Sequence, residues 1–170
     1  AGVAGNGQSE LLEVLGGYAD GSGTVLLNGE AIDLTGKFSD GKSRRKRGLA
    51  ERNITEPEMV LSESAHAAFH KAADNFGLTV HKAPVREDYT ANVEAMASMV
   101  NDNTVLVVGS APQYPQGVQD DIPSIAALAK SVGANCHVDA CMGGFVLPFA
   151  ERIGRDVLPW DFRVDGVTTI

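Results

Sequence analysis

Near the C-terminal end of the chain, an acidic residue stands where a short apolar run meets a group of small residues. The segment from 135 to 145 reads N-C-H-V-D-A-C-M-G-G-F, with Asp139 at the end of the apolar run and Cys141, Gly143 and Gly144 behind it. A carboxylate at the end of a buried strand costs free energy unless a cationic group meets it. The segment therefore predicts that Asp139 meets a cation, although the segment itself contains no lysine or arginine.

A second stretch that could do chemistry lies at the start of the chain. Residues 2–9 read G-V-A-G-N-G-Q-S, the spacing of a phosphate-cradling loop, and an apolar helix-like run follows. Its candidate nucleotide-binding residues are Gly2, Gly7, Gln8 and Ser9. Gln8 stands where such loops carry lysine, so no charge reaches the phosphates. We therefore favour a glycine-rich strand–turn–helix without nucleotide, and expect no ATP binding.

The overall composition is that of a globular protein. Of the 170 residues, 44% are hydrophobic and 21% charged, which is enough for one ordinary core. We find no apolar run of membrane-spanning length and no signal-peptide pattern, so we expect a cytoplasmic protein. Two cysteines, Cys136 and Cys141, are too few for a disulfide framework or a zinc cluster, and we expect no metal site.

Charge and glycine content divide the chain into two segments. Residues 1–50 carry six acidic and six basic residues, whereas residues 51–170 carry sixteen and eight. Eleven of the 19 glycines lie in the first segment, and all seven prolines follow Glu56. We predict a boundary near residue 50. The basic run at 42–47 has no aromatic residues within it, so we interpret it as an exposed helix start, not a nucleic-acid site.

The second segment alternates predicted strands with predicted helices. The first helix is expected to be capped by Ser62 or Ser64 and to end at Gly77, the second to be entered from Thr90, and the third to follow an acidic cap. The strands are predicted at P-E-M-V-L, L-T-V-H-K-A-P-V, T-V-L-V-V-G-S, N-C-H-V-D-A and F-R-V-D-G-V-T-T-I.

This alternation predicts a parallel sheet that is covered by helices on both faces, because its strands are almost continuously apolar. Ligands of such sheets bind at the carboxyl ends of the strands. Ser110 and Asp139 both fall at predicted strand ends, so the α/β fold itself points to them.

Three ordered stretches carry a resemblance to a known family. They read S-A-H-A-A-F-H-K-A-A at 64–73, G-S-A-P-Q-Y-P-Q-G-V-Q-D-D-I-P at 109–123 and H-V-D-A-C-M-G-G-F at 137–145. Together they resemble pyridoxal-phosphate enzymes of the aminotransferase fold, in the group of glutamate and aromatic decarboxylases. Within that group they are most similar to the sphingosine-phosphate lyase family. The resemblance covers essentially all of residues 51–170 and implies the fold type I large domain.

The resemblance also implies roles for four residues around pyridoxal 5′-phosphate. Asp139 matches the aspartate that pairs with the protonated pyridine nitrogen, which would be the cation that the opening segment lacks. His66 matches the histidine that stacks on the ring. Cys141 matches the small residue that touches the other ring face, and Ser110 matches a strand-end position near the cofactor.

The implied activity is a carbon–carbon lyase that releases an aldehyde and phosphoethanolamine. The implied substrate is a phosphorylated amine or an amino acid, so amino-acid decarboxylation is the alternative within the same chemistry. Intact members of the family are homodimers. Their covalently binding lysine follows the strand that ends here at Ile170, and no lysine of this chain matches it. We therefore assign no catalytic residue and expect an inactive, truncated fragment.

Residues 1–50 are similar to a different family, the ATP-binding subunits of ABC transporters. The phosphate-type loop and a predicted hairpin, which turns at Asn28 and Gly29, carry this similarity. It implies a short strand–helix–hairpin segment ahead of the partial sheet. Two further alternatives follow for the whole chain: a nucleotide-binding module of a sugar or nucleoside transporter, or an inactive chimera of two fragments.

Overall fold

The structure is a computed structural model, and it describes residues 24–27, 30–33 and 49–170. The chain divides into two compact units between Ile54 and Thr55.

The first unit contains a hairpin formed by β1 (Thr24–Leu27) and β2 (Glu30–Asp33). The two strands pair in an antiparallel ladder. This pairing confirms the predicted hairpin, while its turn residues Asn28 and Gly29 lie outside the described residues.

The second unit is built on a sheet of five parallel strands in the order β4-β3-β5-β6-β7. Each neighbouring pair is parallel, so the carboxyl ends of the strands meet at one edge. This arrangement confirms the predicted α/β fold with a partial parallel sheet. The strands are β3 (Glu58–Ser62), β4 (Thr79–Ala83), β5 (Thr104–Ser110), β6 (Asn135–Asp139) and β7 (Val167–Thr169).

Four helices of this unit are α1 (Ala68–Phe76), α2 (Val93–Ala97), α3 (Ile122–Ser131) and α4 (Gly143–Arg152). The signals that end α1 and begin α3 are those the sequence predicts. Gly77 closes α1 in the left-handed conformation, and the Asp121 side chain caps α3 ahead of Pro123.

The sheet has an apolar core on each face, because successive side chains of a strand point to opposite sides. On one face, Val60, Val107 and Val138 pack with residues of α2 and α3. On the other face, strand residues pack with α1. The members of this second cluster are Met59, Leu61, Ala73 and Val108, with Phe69, Leu78, Val80, Leu106 and Ala65 packed against them.

Two predicted helix starts are wrong. The helix that we expected from Ser62 or Ser64 begins at Ala68, because the two serine hydroxyls bond each other at 2.9 Å and cap nothing. The helix that we expected from Thr90 is capped by Asn92, whose side chain accepts the Ala95 N–H at 3.0 Å. A side-chain hydrogen bond thus marks the start of α2, whereas α1 begins without one.

Helix α4 is not predicted by the sequence pattern at all. Two glycines begin it and Pro148 lies inside it, and both residue types disfavour a helix. Its large apolar side chains also lie on the outer side, where Phe145 and Phe149 are exposed. An apolar stripe that faces solvent does not follow the core-facing periodicity on which helix prediction depends.

The predicted last strand is also shorter than expected, because residues 162–166 form turns ahead of β7. The register between β6 and β7 shifts at this point. There the Thr168 hydroxyl accepts the Cys136 N–H at 3.0 Å and donates to the Cys136 carbonyl at 2.8 Å. A side chain thus makes hydrogen bonds that a regular ladder would make with main-chain groups.

The start of α4 lies directly against the segment that follows β5. A Cβ atom placed on Gly143 would lie 1.7 Å from the Ala111 carbonyl oxygen, whereas a Cβ on Gly144 would meet nothing within 4 Å. Packing against Ala111 therefore requires glycine at position 143, whereas no contact requires glycine at position 144.

His137 lies in the middle of β6, on the face that α1 covers. Its ring meets Phe69 edge-on at 5.7 Å, and its Nδ1 lies 2.8 Å from the Thr169 hydroxyl. Burial lowers the pKa of His137, and the negative charge of Asp139 opposes part of that shift. The folded protein therefore favours the neutral imidazole.

We predict that Gly143→Ala destabilises the protein and that Gly144→Ala does not. The first change forces the main chain at Ala111 to move, which should lower the free energy of unfolding by about 1–3 kcal/mol. The second removes a glycine from a helix and should raise it by about 0.4–1 kcal/mol. Urea unfolding of both variants measures the difference, and equal effects would contradict the close contact.

We also predict that the stability of the protein falls as the pH drops below 6.5, the ordinary pKa of histidine. Because the folded-state pKa of His137 is lowered, the unfolded chain binds its proton first, and stability present above pH 6.5 is lost as the pH falls through the lowered value. His137→Gln should lack this component of the loss. Parallel slopes for both proteins in urea unfolding between pH 5 and 8 would show that His137 is not responsible.

Candidate functional site

The candidate site lies at the edge of the sheet where β5 and β6 end. Ser110 and Asp139 are the last residues of these strands and lie opposite each other in the register. Beyond them, the Ala111 N–H donates to the Asp139 carbonyl at 2.9 Å. The parallel ladder thus brings two of the four predicted cofactor residues side by side.

The side chain of Asp139 belongs to the same sheet face as α1. His137, two residues earlier in the strand, contacts Phe69 of α1, and residues two apart in a strand share a face. Ser110 follows the same rule, because Val108 packs in the α1 cluster. The two strand-end side chains therefore lie on the face where His66 precedes α1.

Asp139 is half-buried, and among the described residues it is Cys141 that bonds its carboxylate. Its Oδ1 accepts the Cys141 N–H at 3.3 Å. Among the described residues, no lysine or arginine forms an ion pair with it. The carboxylate can therefore accept a further donor, and a cationic N–H would suit it best.

Cys141 follows Asp139 closely and exposes its thiol. Partial desolvation, together with the hydrogen bond and negative charge of Asp139, raises the pKa of this thiol. The thiol therefore stays protonated at neutral pH and is a poor nucleophile. This state fits the predicted contact role, which needs a small side chain and no reactivity.

His66 lies in the turn between β3 and α1, and its ring is exposed. Its Nδ1 accepts the Ala68 N–H at 3.1 Å, and its ring meets the Tyr114 ring edge-on with 6.4 Å between centroids. No side-chain contact joins it to Asp139 within the described part of the chain. The structure therefore brings Ser110, Asp139 and Cys141 together and pairs His66 with Tyr114.

Asp120 and Tyr114 are parts of this edge that sequence reasoning missed. The Asp120 carboxylate is fully buried and accepts two main-chain N–H groups, from Ser110 and Ala91, each at 2.8 Å. Burial raises its pKa, and these hydrogen bonds offset part of the rise. The sequence shows two adjacent acids before Pro123 and predicts an acidic helix cap, which is Asp121. Nothing in it indicates that Asp120 is buried.

A cavity of about 530 Å³ lies elsewhere, along the starts of α2 and α3. None of the four predicted cofactor residues lines it. Its charged lining residues are Arg86, Asp88, Glu94 and Asp121. Arg86 forms an ion pair with Glu94, and the two aspartates are hydrogen-bonded to Thr90 and Ser124.

Three other expectations concern metal sites, membrane-spanning helices and nucleotide binding. The described residues contain no cluster of three or more potential metal ligands. No helix among them is both long and apolar enough to cross a membrane. The predicted nucleotide-binding residues Gly2, Gly7, Gln8 and Ser9 lie outside the part of the chain that the structure describes.

Comparison with known proteins identifies several relatives. The chain is 45% identical over 141 residues to a sphingosine-1-phosphate lyase of Arabidopsis thaliana, which covers 83% of this chain and 25% of that protein. It is 38% identical over 161 residues to an L-aspartate decarboxylase of Thermococcus kodakarensis, which covers 95% of this chain and 40% of that protein. The chain thus spans well under half the length of these curated relatives.

Two solved structures share the fold. The sphingosine-1-phosphate lyase of Burkholderia pseudomallei superposes with a TM-score of 0.69 and 41% identity, covering 73% of this chain and 29% of that one. A glutamate decarboxylase of Lactobacillus brevis gives 0.61 and 28%, covering 74% of this chain and 30% of that one. These structural neighbours are pyridoxal-phosphate enzymes of fold type I.

The comparisons do not support the predicted transporter fragment or the chimera. The match to the Thermococcus kodakarensis decarboxylase spans 95% of the chain and therefore includes most of residues 1–50. A glycine-rich loop with helix-like residues behind it is a short pattern that unrelated folds share, so it does not identify a family by itself.

The strand-end geometry, the shared fold and the sequence matches agree. The enzyme families of these relatives depend on pyridoxal phosphate. The class-V aminotransferase model matches residues 47–147, more than half of the chain. The chain belongs to the class-V aminotransferase family.

Proposed function

We propose that this chain supplies the cofactor-binding edge of a pyridoxal-phosphate-dependent carbon–carbon lyase. The substrate would be a phosphorylated long-chain amino alcohol, and the products an aldehyde and phosphoethanolamine. The observation that carries the proposal is Asp139, a half-buried carboxylate at the end of β6 that no lysine or arginine of the described residues pairs with. A protonated pyridine nitrogen would be a cationic N–H donor for this carboxylate.

Four residues would hold the cofactor in this proposal. Asp139 keeps a proton on the pyridine nitrogen, because an ionised carboxylate favours the charged form of a neighbouring base. The exposed His66 ring covers one face of the cofactor, and Cys141 limits the space on the other. Ser110 ends the neighbouring strand beside Asp139. When bound, the cofactor supplies an electron sink for breaking a bond at the carbon that carries the amine.

The proposed lyase activity is supported by the similarity of the chain to several lyases. Lyases from plants and mammals match at 44–47% identity, and a bacterial lyase has a similar structure. The proposal includes a small-molecule substrate and a homodimeric intact enzyme, since enzymes of this family usually form dimers.

Decarboxylation of L-aspartate is the second candidate. Archaeal aspartate decarboxylases match almost the whole chain, with 95% coverage at 38–40% identity, whereas the plant lyase covers 83%. The residues around the ring serve both reactions, because both break a bond to the same carbon. The difference between the candidates therefore lies in the substrate, not in the ring-holding residues.

We predict that Asp139→Asn weakens binding of pyridoxal phosphate about ten- to hundredfold, the usual contribution of a hydrogen bond to a charged partner. Titration of the cofactor, followed by its visible absorbance, measures the affinity. Asp102→Asn is the matched control, since it removes the same charge from an exposed turn at the opposite end of the strands. Equal affinities for both variants would contradict the assignment of Asp139.

We further predict that sphingosine 1-phosphate, and not L-aspartate, changes the absorbance spectrum of the cofactor bound to this chain. The amine must reach the ring for the spectrum to change, so the response reports which substrate the edge admits. Free cofactor mixed with each amine at the same concentrations is the control. A response to L-aspartate alone would replace the lyase proposal with the decarboxylase.

A further inference from the structure

Tyr114 is an exposed aromatic residue on a loop that is held from within. The loop runs from Ser110 to Asp120, and its two ends are joined by two hydrogen bonds. The Asp120 N–H donates to the Ser110 carbonyl at 3.0 Å, and the Ser110 N–H donates to the Asp120 carboxylate at 2.8 Å. Both partners are buried, so the base of the loop is fixed.

A second set of hydrogen bonds closes the loop nearer its tip. The Gln113 N–H donates to the Val118 carbonyl at 3.0 Å, and the Gln113 side-chain oxygen accepts the Gln116 N–H at 2.9 Å. Gln113 is only 1% exposed, whereas its neighbour Tyr114 is 69% exposed. The position of Tyr114 is therefore set by the loop backbone and by buried Gln113, not by packing of its own ring.

The Tyr114 ring meets His66 at an angle of 87° with 6.4 Å between the centroids, an edge-to-face aromatic contact. A hydrogen bond also constrains the imidazole, because its Nδ1 accepts the Ala68 N–H at 3.1 Å. In the neutral ring the proton is then on Nε2. Among the described residues, one hydrogen bond and one ring contact hold the imidazole, and His66 remains exposed.

We propose that Tyr114 is a positioning residue that orients the His66 ring for contact with the cofactor. It acts through His66, and it links the loop after β5 to the turn before α1, two segments that are far apart in the sequence. This inference rests on the proposed function, in which His66 covers one face of the cofactor. Tyr114 needs its ring for this role and not its hydroxyl group.

The test compares Tyr114→Ala with Tyr114→Phe in the full chain. Nuclear magnetic resonance of the imidazole protons, assigned with His66→Gln, reports the ring contact without any cofactor. Tyr114→Ala should move the His66 resonances, and Tyr114→Phe should leave them near their original positions. Affinity for pyridoxal phosphate should fall about three- to tenfold in Tyr114→Ala and recover in Tyr114→Phe.

Phe162→Ala is the matched control, because Phe162 is 67% exposed and also aromatic. It should change neither readout. Unchanged His66 resonances in Tyr114→Ala would overturn the inference, as would moved resonances with unchanged cofactor affinity. If the unmodified chain binds no pyridoxal phosphate, the proposed function fails and the cofactor role of Tyr114 fails with it, while the resonance shift still decides the ring contact.

Discussion

The buried carboxylate of Asp120 is the interaction on which this edge of the sheet depends. Two main-chain N–H groups, from Ser110 and Ala91, donate to it in a place that water does not reach. Leaving either donor unpaired would cost about 1–3 kcal/mol. These two hydrogen bonds offset part of the cost of burying Asp120. They also fix the end of β5 and the entry to α2 relative to each other. Ser110 is thereby held in place at the end of β5, and the ladder to β6 places Asp139 beside it.

Asp139 shows the opposite use of the same functional group. Its neighbours respond to its charge, since it helps to raise the pKa of Cys141 and opposes the lowering of the pKa of His137. No lysine or arginine of the described residues pairs with it, so its negative charge remains available to a ligand. One buried acid at this edge holds two segments of the fold together, and the other, half-buried acid is the one that we propose meets the cofactor.

Much of the fold follows from the sequence because its signals are local. Continuous apolar runs, Gly77 behind α1 and Asp121 ahead of Pro123 each fix a strand or a helix end without help from distant residues. The register then places Ser110 beside Asp139. Since all five strands of this sheet are parallel, their carboxyl ends share one edge, as the alternation of strands and helices along the chain predicts.

What the sequence did not reveal depends on contacts between distant segments. Helix α4 forms despite Pro148 and two glycines, because Gly143 allows it to lie against Ala111. The contact between His66 and Tyr114 joins residues 48 positions apart, and no spacing rule predicts it. The transporter fragment predicted for residues 1–50 is unsupported for the converse reason, since a short local pattern occurs in unrelated folds.

The hydroxyl of Thr168 has a consequence for how β6 and β7 hold together. It bonds both the N–H and the carbonyl of Cys136, at the point where the register of the two strands shifts. A valine at this position would have nearly the same shape and no hydroxyl, so both main-chain groups of Cys136 would lose this partner. The pairing of these two strands therefore depends on one side chain as well as on the main-chain ladder.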